Sequence, residues 1–194
     1  MDTTDTAALD CGDMARLVGG QEHSLDELMA RHAQPLFRFL HRMLGNEEDA
    51  SDLAQTAFVR VYQHRADFRT DARFSTWLYT IAANLARNHH RWLARHPTVS
   101  LESAPDPAGP TLADSLVATR RSPDDAAVAA ERATAVRTAV DQLPEDMREA
   151  VILCEWEEMP VREAAAVLGA TPKAIESRLY RARHLLRERL KGWL

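Results

Sequence analysis

Arginine and aromatic side chains alternate in one stretch of this 194-residue chain, and a second stretch sets basic residues along one side of a helix. In the first, Arg65, Arg69, Arg73, Arg87 and Arg91 are interleaved with Phe68, Phe74, Trp77, Tyr79 and Trp92. Guanidinium groups attract phosphates, and aromatic rings stack on unpaired bases, so this composition suits single-stranded or opened DNA. Phe74 and Trp77 also fall at helical spacing with Leu78, Ile81 and Leu85, and their main role is expected in a core. In the second, Lys173, Ser177, Arg178, Arg181 and His184 lie opposite Ile175, Leu179, Ala182 and Leu186, which recur at i, i+4, i+7 and i+11. Arginine and lysine read guanine edges in a major groove, and their phosphate contacts add a salt-dependent attraction.

Other chemistry has little to build on. No Ser-His-Asp set, phosphate-binding glycine loop or paired-carboxylate site stands out, so no catalytic residue, metal or cofactor is expected. His89 and His90 are adjacent, and neighbours on a helix diverge by about 100°, which makes them poor co-ligands. Cys11, expected in a mobile tail, and Cys154, expected on a helix, form neither a disulfide framework nor a metal cluster, which suggests a reducing, cytoplasmic setting. Glu155, Glu157 and Glu158 read as a solvated acidic turn. No run approaches the roughly 20 apolar residues of a membrane-spanning helix. The opening Met1-Asp2-Thr3-Thr4-Asp5 lacks the apolar core of a signal peptide.

The net charge of −5 taken alone speaks against nucleic acid, but it is blocked along the chain. Residues 1–59 carry −7, 60–99 carry +5, 100–170 carry −8 and 171–194 carry +5. The two positive blocks coincide with the two arginine-bearing stretches, the electrostatic footprint of a polyanion-binding surface.

These side chains need helices to position them. Alternating β-branched runs are absent, and apolar residues recur at helical spacing: Leu25, Leu28, Met29, His32, Leu36, Phe39, Leu40 and Met43 make one stripe, and Leu53, Ala57 and Val61 another. The reading is all-α, two small helical domains joined by a Pro-rich linker. An acidic N-terminal tail is expected over 1–11, a helical unit over 12–96, a linker over 97–123 and a second unit over 124–194. The linker carries Pro97, Pro105, Pro107, Pro110 and Pro123, each of which disfavours helix. In the second unit, Gly169 suits a left-handed helix end, Thr171 a helix N-cap and Pro172 the first helical position. A short helix, this turn and a basic helix make a helix-turn-helix. These features alone leave open an ordinary helix-turn-helix regulator with a helical sensor domain, or a scaffold whose basic helices bind acidic partners.

Two longer motifs narrow this. Asp49-Ala50-Ser51-Asp52-Leu53-Ala54-Gln55-Thr56-Ala57-Phe58, followed by Phe74-Ser75-Thr76-Trp77-Leu78-Tyr79-Thr80-Ile81-Ala82-Ala83-Asn84, closely resembles region 2 of bacterial sigma factors. Leu143-Pro144 through Arg183, with Ser177-Arg178-Leu179-Tyr180-Arg181-Ala182-Arg183, resembles their region 4. Two such domains joined by a short linker resemble the extracytoplasmic-function, group IV sigma factors of the sigma-70 family.

The resemblance implies a factor that binds core RNA polymerase, through the β′ clamp helices and the β subunit, and directs promoter-specific transcription initiation in response to stress or an envelope signal. It implies a cognate anti-sigma factor and no membrane insertion. Position by position, Asp49, Asp52, Leu53 and Gln55 match the polymerase-binding helix. Arg65, Arg69 and Arg73 match the loop that captures a flipped base of the −10 element, and Asn84, Arg87, Asn88 and Arg91 the helix beside it. Lys173, Glu176, Ser177, Arg178 and Arg181 match the −35 recognition helix. Thr56 stands where the family usually has Glu, and Glu176 where it usually has Lys or Arg; Glu176 could accept from a cytosine amine or repel phosphate. Leu78 follows Trp77 where housekeeping factors carry paired tryptophans, which fits weaker DNA melting and stricter promoter choice. Elements about 17 base pairs apart lie roughly 58 Å apart at ~3.4 Å per step. A linker of about 26 residues reaches ~80 Å extended but averages roughly 28 Å as a coil, so it spans the gap only when held extended.

Overall fold

The computed structural model describes residues 3–69, 72–96 and 123–193. Among them are eight α-helices and no strand: α1 (Thr3–Val18), α2 (His23–Leu44), α3 (Glu47–Gln63), α4 (Phe74–Arg95), α5 (Pro123–Asp141), α6 (Glu145–Val151), α7 (Val161–Leu168) and α8 (Pro172–Arg189). A single 3₁₀ turn, Arg65–Asp67, joins α3 towards α4, and a five-residue π turn, Ile152–Trp156, continues α6. The expected linker lies outside the described residues except for Pro123, where α5 begins.

In the first unit, α2 supplies Leu28, Leu36, Phe39, Leu40 and Met43 to the core, following the 3.6-residue period of the sequence. Pro35 lies inside α2 and forfeits one backbone hydrogen bond, a loss the buried residues on its C-terminal side offset. Gly45 ends α2 at φ 71°, the left-handed conformation glycine enters without a Cβ penalty, and its N–H reaches His41 O at 2.8 Å. The Asn46 side chain then accepts from the Asp49 N–H at 2.9 Å and starts α3, whose first turn holds Glu47, Glu48 and Asp49 where the helix dipole favours them. Ala50, Ala54 and Ala57 are buried and let α3 approach its neighbours closely. Phe74 and Leu78 of α4 are fully buried, and Phe74 packs on His32, with ring centroids 5.1 Å apart. The core role expected for Phe74 holds; Trp77 is half-buried against Phe68 at 5.3 Å.

The expected acidic tail is not a tail. α1 runs from Thr3, buries Met14 and Leu17 completely, and continues past residue 12 as part of the first unit. Its acidic residues are internal partners: Asp10 and Asp13 are both almost fully buried. Arg31 Nε donates to Asp10 at 2.9 Å, a further Arg31 nitrogen pairs with Asp13, and His32 Nε2 lies 2.8 Å from Asp10. Buried carboxylates persist only with such partners.

In the second unit the turn chemistry is as read from the sequence. Gly169 sits at φ 62° and closes α7, and the Thr171 hydroxyl accepts from the Ala174 N–H at 3.2 Å. Pro172 occupies the first turn of α8, and Ile175, Leu179 and Ala182 face inward. The two units are not separate bodies: α4 packs against α7, and buried residues of both form one continuous core.

The Asp10–Asp13–Arg31–His32 cluster yields a stability test. Asp10→Ala leaves Arg31 and His32 each short of a carboxylate, and the unfolding free energy is expected to fall by about 2 kcal/mol. That is below the fully buried range because the Arg31 side chain keeps 22% of its exposure. A urea midpoint unchanged within error would show that the Asp10 pairs do not contribute to stability.

Candidate nucleic-acid interface

The first basic surface is carried by α4 and the turn before it. Asn84 and Asn88 stand one helical turn apart and both are exposed. Each holds the arginine three residues on: Arg87 donates to Asn84 Oδ1 at 2.9 Å, and Arg91 to Asn88 Oδ1 at 2.5 Å. This ladder orients two guanidiniums along one ridge. Arg65 lies over the Tyr62 ring, 4.3 Å from its centroid, and donates to Tyr62 O at 2.6 Å. Arg69 is exposed in the segment leading to α4, and Arg73 stands at the N-cap of α4. Between the ridge and the turn is a cleft of about 240 Å³ lined by Arg60, His64, Asp67, Trp77, Ile81 and Asn84. It offers a ring to stack on and polar edges beside it; Arg60 and His64 joined this surface without any signal in the motif.

Two of these arginines face protein. Arg73 Nη1 lies 3.0 Å from Glu163 Oε1 and Arg87 Nε 3.7 Å from Glu149 Oε1, both carboxylates belonging to the second unit. Burial pushes the Glu149 carboxyl up, and Arg87 pulls it back. Its Oε1 has no hydrogen bond. The expectation that Glu157 lies in a solvated turn fails: Glu157 is 10% exposed, bonded by Arg42 at 2.9 Å and by the Tyr79 hydroxyl at 2.8 Å. Burial, then the charge of Glu157 and its hydrogen bond, push the Tyr79 hydroxyl far above its ordinary range, so it remains a donor. Glu158 follows with φ 50°, the one described non-glycine residue in the left-handed region, and Glu155 pairs with Arg183 at 2.5 Å.

The second basic surface is the outer side of α8. Lys173, Glu176, Ser177 and Arg181 are exposed on it, while Arg178 is half-buried and held by Asp146 at 3.3 Å. Tyr180 is 75% exposed in the middle of the same stripe. It carries no charge to mark it in the sequence, although its spacing from Ser177 and Glu176 places it on this face.

The acidic surface of α3 is split. Asp52 and Gln55 are exposed, whereas Leu53 leans into the core and Asp49 lies 3.3 Å from His89 Nε2, within reach of charge but without hydrogen-bond geometry. Val59, 53% exposed, continues the Asp52–Gln55 face at helical spacing. His90 turns instead to Met43 O at 3.1 Å, so the two histidines diverge. Burial, reinforced by Glu155, raises the Cys154 thiol. Among the described residues no His, Cys, Asp and Glu group could hold a metal ion, and no helix is long and apolar enough to cross a membrane.

Comparison with known proteins gives this geometry a family. The Sigma-70 region 2 model matches residues 28–96, and the Sigma-70, region 4 model matches residues 133–186. The RNA polymerase sigma-H factor of Pseudomonas aeruginosa is 32% identical over 179 residues, covering 92% of this chain and 92% of that protein. The ECF RNA polymerase sigma factor SigE of Mycolicibacterium smegmatis is 31% identical, covering 96% of this chain and 68% of its own. The chain belongs to the extracytoplasmic-function sigma factors of the sigma-70 family. Such factors direct promoter-specific transcription initiation. A solved structure of the sigma factor RpoE with the anti-sigma factor NepR from Bartonella quintana has a similar fold, with a TM-score of 0.63 and 26% identity over 86% of this chain and 96% of that one. Against the region 2 match, the α4 ridge and the α3 face lie in one module of this sigma factor; α8 lies in the other.

The different settings of the α8 basic residues predict different effects. Lys173→Ala and Arg181→Ala should each lower the slope of log affinity against log salt by about 1 on duplex DNA. Arg178→Ala should also lower the unfolding free energy, by about 0.5–1 kcal/mol, through loss of the Asp146 pair. Unchanged salt slopes in the first two variants would remove this face from DNA contact.

Proposed function

We infer that the chain is an alternative sigma factor that binds core RNA polymerase and brings it to promoters under stress or an envelope signal. It works in the cytoplasm and carries no catalytic site of its own. The observation that carries this reading is the ordered pair of region 2 and region 4 matches on two modules, each presenting a basic surface.

In this reading Asp49, Asp52, Leu53 and Gln55 dock the β′ clamp helices, with Asp52 and Gln55 making the direct contacts and Asp49 and Leu53 setting the helix against its core. The −10 element is opened against Arg65, Arg69 and Arg73, and the cleft beside Trp77 accepts an unstacked base. Asn84, Arg87, Asn88 and Arg91 follow the strand backbone. Lys173, Glu176, Ser177, Arg178 and Arg181 read the −35 element, with Arg178 braced by Asp146 so that its guanidinium is pre-oriented. Two weak readers on one tether gain affinity without new contacts. A cognate anti-sigma factor withholds the protein from polymerase, a reading supported by the anti-sigma partner in the related RpoE structure.

Run-off transcription with purified core polymerase tests this directly: promoter-dependent product should require the chain. Asp52→Ala and Gln55→Ala should weaken core binding by about tenfold and spare DNA contact, because an acidic protein-facing pair gives partner affinity and orientation. Arg181→Ala should reduce promoter use with core binding intact. Equal loss of both activities in either set would sink the division of labour.

A further inference from the structure

One carboxylate stands alone on the exposed side of α8. The basic block at residues 171–194 contains two acids, Glu176 and Glu188. Glu188 is paired with Lys191 at 2.5 Å. The Glu176 side chain is exposed and makes no hydrogen bond or ion pair among the described residues. Lys173 and Tyr180 stand at i−3 and i+4 from it, so the three share one row along the helix. Lys173, although a neighbour, forms no ion pair with it. The α8 arginines that have carboxylate partners take them from other elements, Arg178 from Asp146 and Arg183 from Glu155. Glu176 is therefore not an internal counter-ion of the basic face.

Nor does the helix need it. α8 begins at Pro172, so Glu176 is its fifth residue, past the first turn where the helix dipole favours an acid. The cap is supplied by Thr171, whose hydroxyl accepts from the Ala174 N–H. A lysine or arginine four residues on would support the helix by pairing, but Tyr180 stands there.

DNA gives the carboxylate a narrow choice. Phosphates repel it whatever the sequence, so it adds affinity only where a base edge presents a donor. In the major groove the donors are the amines of cytosine and adenine. Adenine sets its N7 acceptor beside the amine, and an ionised carboxylate has no proton to give N7. Guanine presents two acceptors, and thymine an acceptor and a methyl group. Cytosine is the base that offers a donor with no acceptor of its own beside it. The N-terminal residues of a recognition helix are the ones that reach base edges, and Glu176 lies in the first half of α8.

Resting on the sigma-factor reading, we propose that Glu176 is a specificity residue: it selects a C·G pair in the −35 element by accepting a hydrogen bond from the cytosine N4 amine. Lys173, on the same row, offsets the phosphate repulsion that the carboxylate brings. Much of the discrimination is rejection, since guanine and thymine set an acceptor against the carboxylate.

The test is selection from a duplex promoter library randomised across the upstream element, using holoenzyme assembled from core polymerase and the full chain. Wild type should enrich cytosine at one position by about tenfold over the other bases. Glu176→Ala should level that position and leave the others unchanged. Glu176→Gln should turn it to adenine, because a carboxamide donates to N7 and accepts from N6. On the duplex that wild type selects, Glu176→Gln should bind about tenfold more weakly, although it has lost a negative charge. If all three proteins select the same bases and Glu176→Gln binds every duplex more tightly, the carboxylate only repels phosphate and the proposal is overturned. An upstream motif selected by wild type with no cytosine that depends on Glu176 also removes the proposal and leaves the sigma reading standing. Holoenzyme that selects no upstream sequence with any of the three proteins removes that reading and the proposal with it.

Discussion

One helix, α4, has to satisfy two demands that pull against each other. Its apolar side, with Phe74, Leu78, Ala82 and Leu85, closes the core of the first unit. Its other residues include Asn84, Arg87, Asn88 and Arg91, which cannot be buried without partners. The helix resolves this along its length and around its axis. The N-terminal half is crowded with rings from Phe68 and Trp77, and in the C-terminal half an asparagine one turn back holds each of Arg87, which faces Glu149, and Arg91, which is exposed. Everything else in the first unit supports that helix. α2 and α3 give it a wall, and α1 packs against α2 and α4 through Met14 and Leu17 and its buried aspartates.

Charge blocks along the chain become surfaces in three dimensions. The acidic block of the second unit does not face solvent as a whole. Glu149 and Glu163 are turned towards Arg87 and Arg73 of the basic block of the first, and Glu157 towards Arg42. The net −5 is therefore a sum over groups that partly neutralise each other across a domain contact. Because the partners in these pairs lie on different units, opening the contact exposes both signs at once.

Much of this was legible in the sequence where the relevant physics is local. Helical periodicity located the stripes of α2, α4 and α8, and Gly169, Thr171 and Pro172 each stand in the conformation their chemistry favours. Local rules failed where partners are distant. Asp10 read as a tail charge because Arg31 and His32, which make it internal, lie 21 and 22 residues away. Glu157 read as solvated because its partners, Arg42 and Tyr79, are 115 and 78 residues away. A carboxylate carries the same one-letter symbol whether water or an arginine holds it. Within the site, the polarity of Asp49 and the apolarity of Leu53 were visible, but their turning towards His89 and the core was not.

The contact between the units combines paired carboxylates with apolar packing. Its carboxylates are paired but not all are well satisfied: Glu149 sits at 5% side-chain exposure with one oxygen lacking a hydrogen bond, and burial raises its carboxyl. A buried charge with an incomplete shell costs free energy that a fully bonded one does not. Glu158, beside Glu157, holds a left-handed backbone that adds a further cost. Against these stand the arginine and hydroxyl bonds to Glu157 and Glu163 and the apolar contact of α4 with α7. An interface meant only to stabilise the fold would place apolar residues of matching volume at these positions, which is often the more stable arrangement. Ion pairs instead fix which side chains meet across the contact, Glu157 with Arg42 and Glu163 with Arg73.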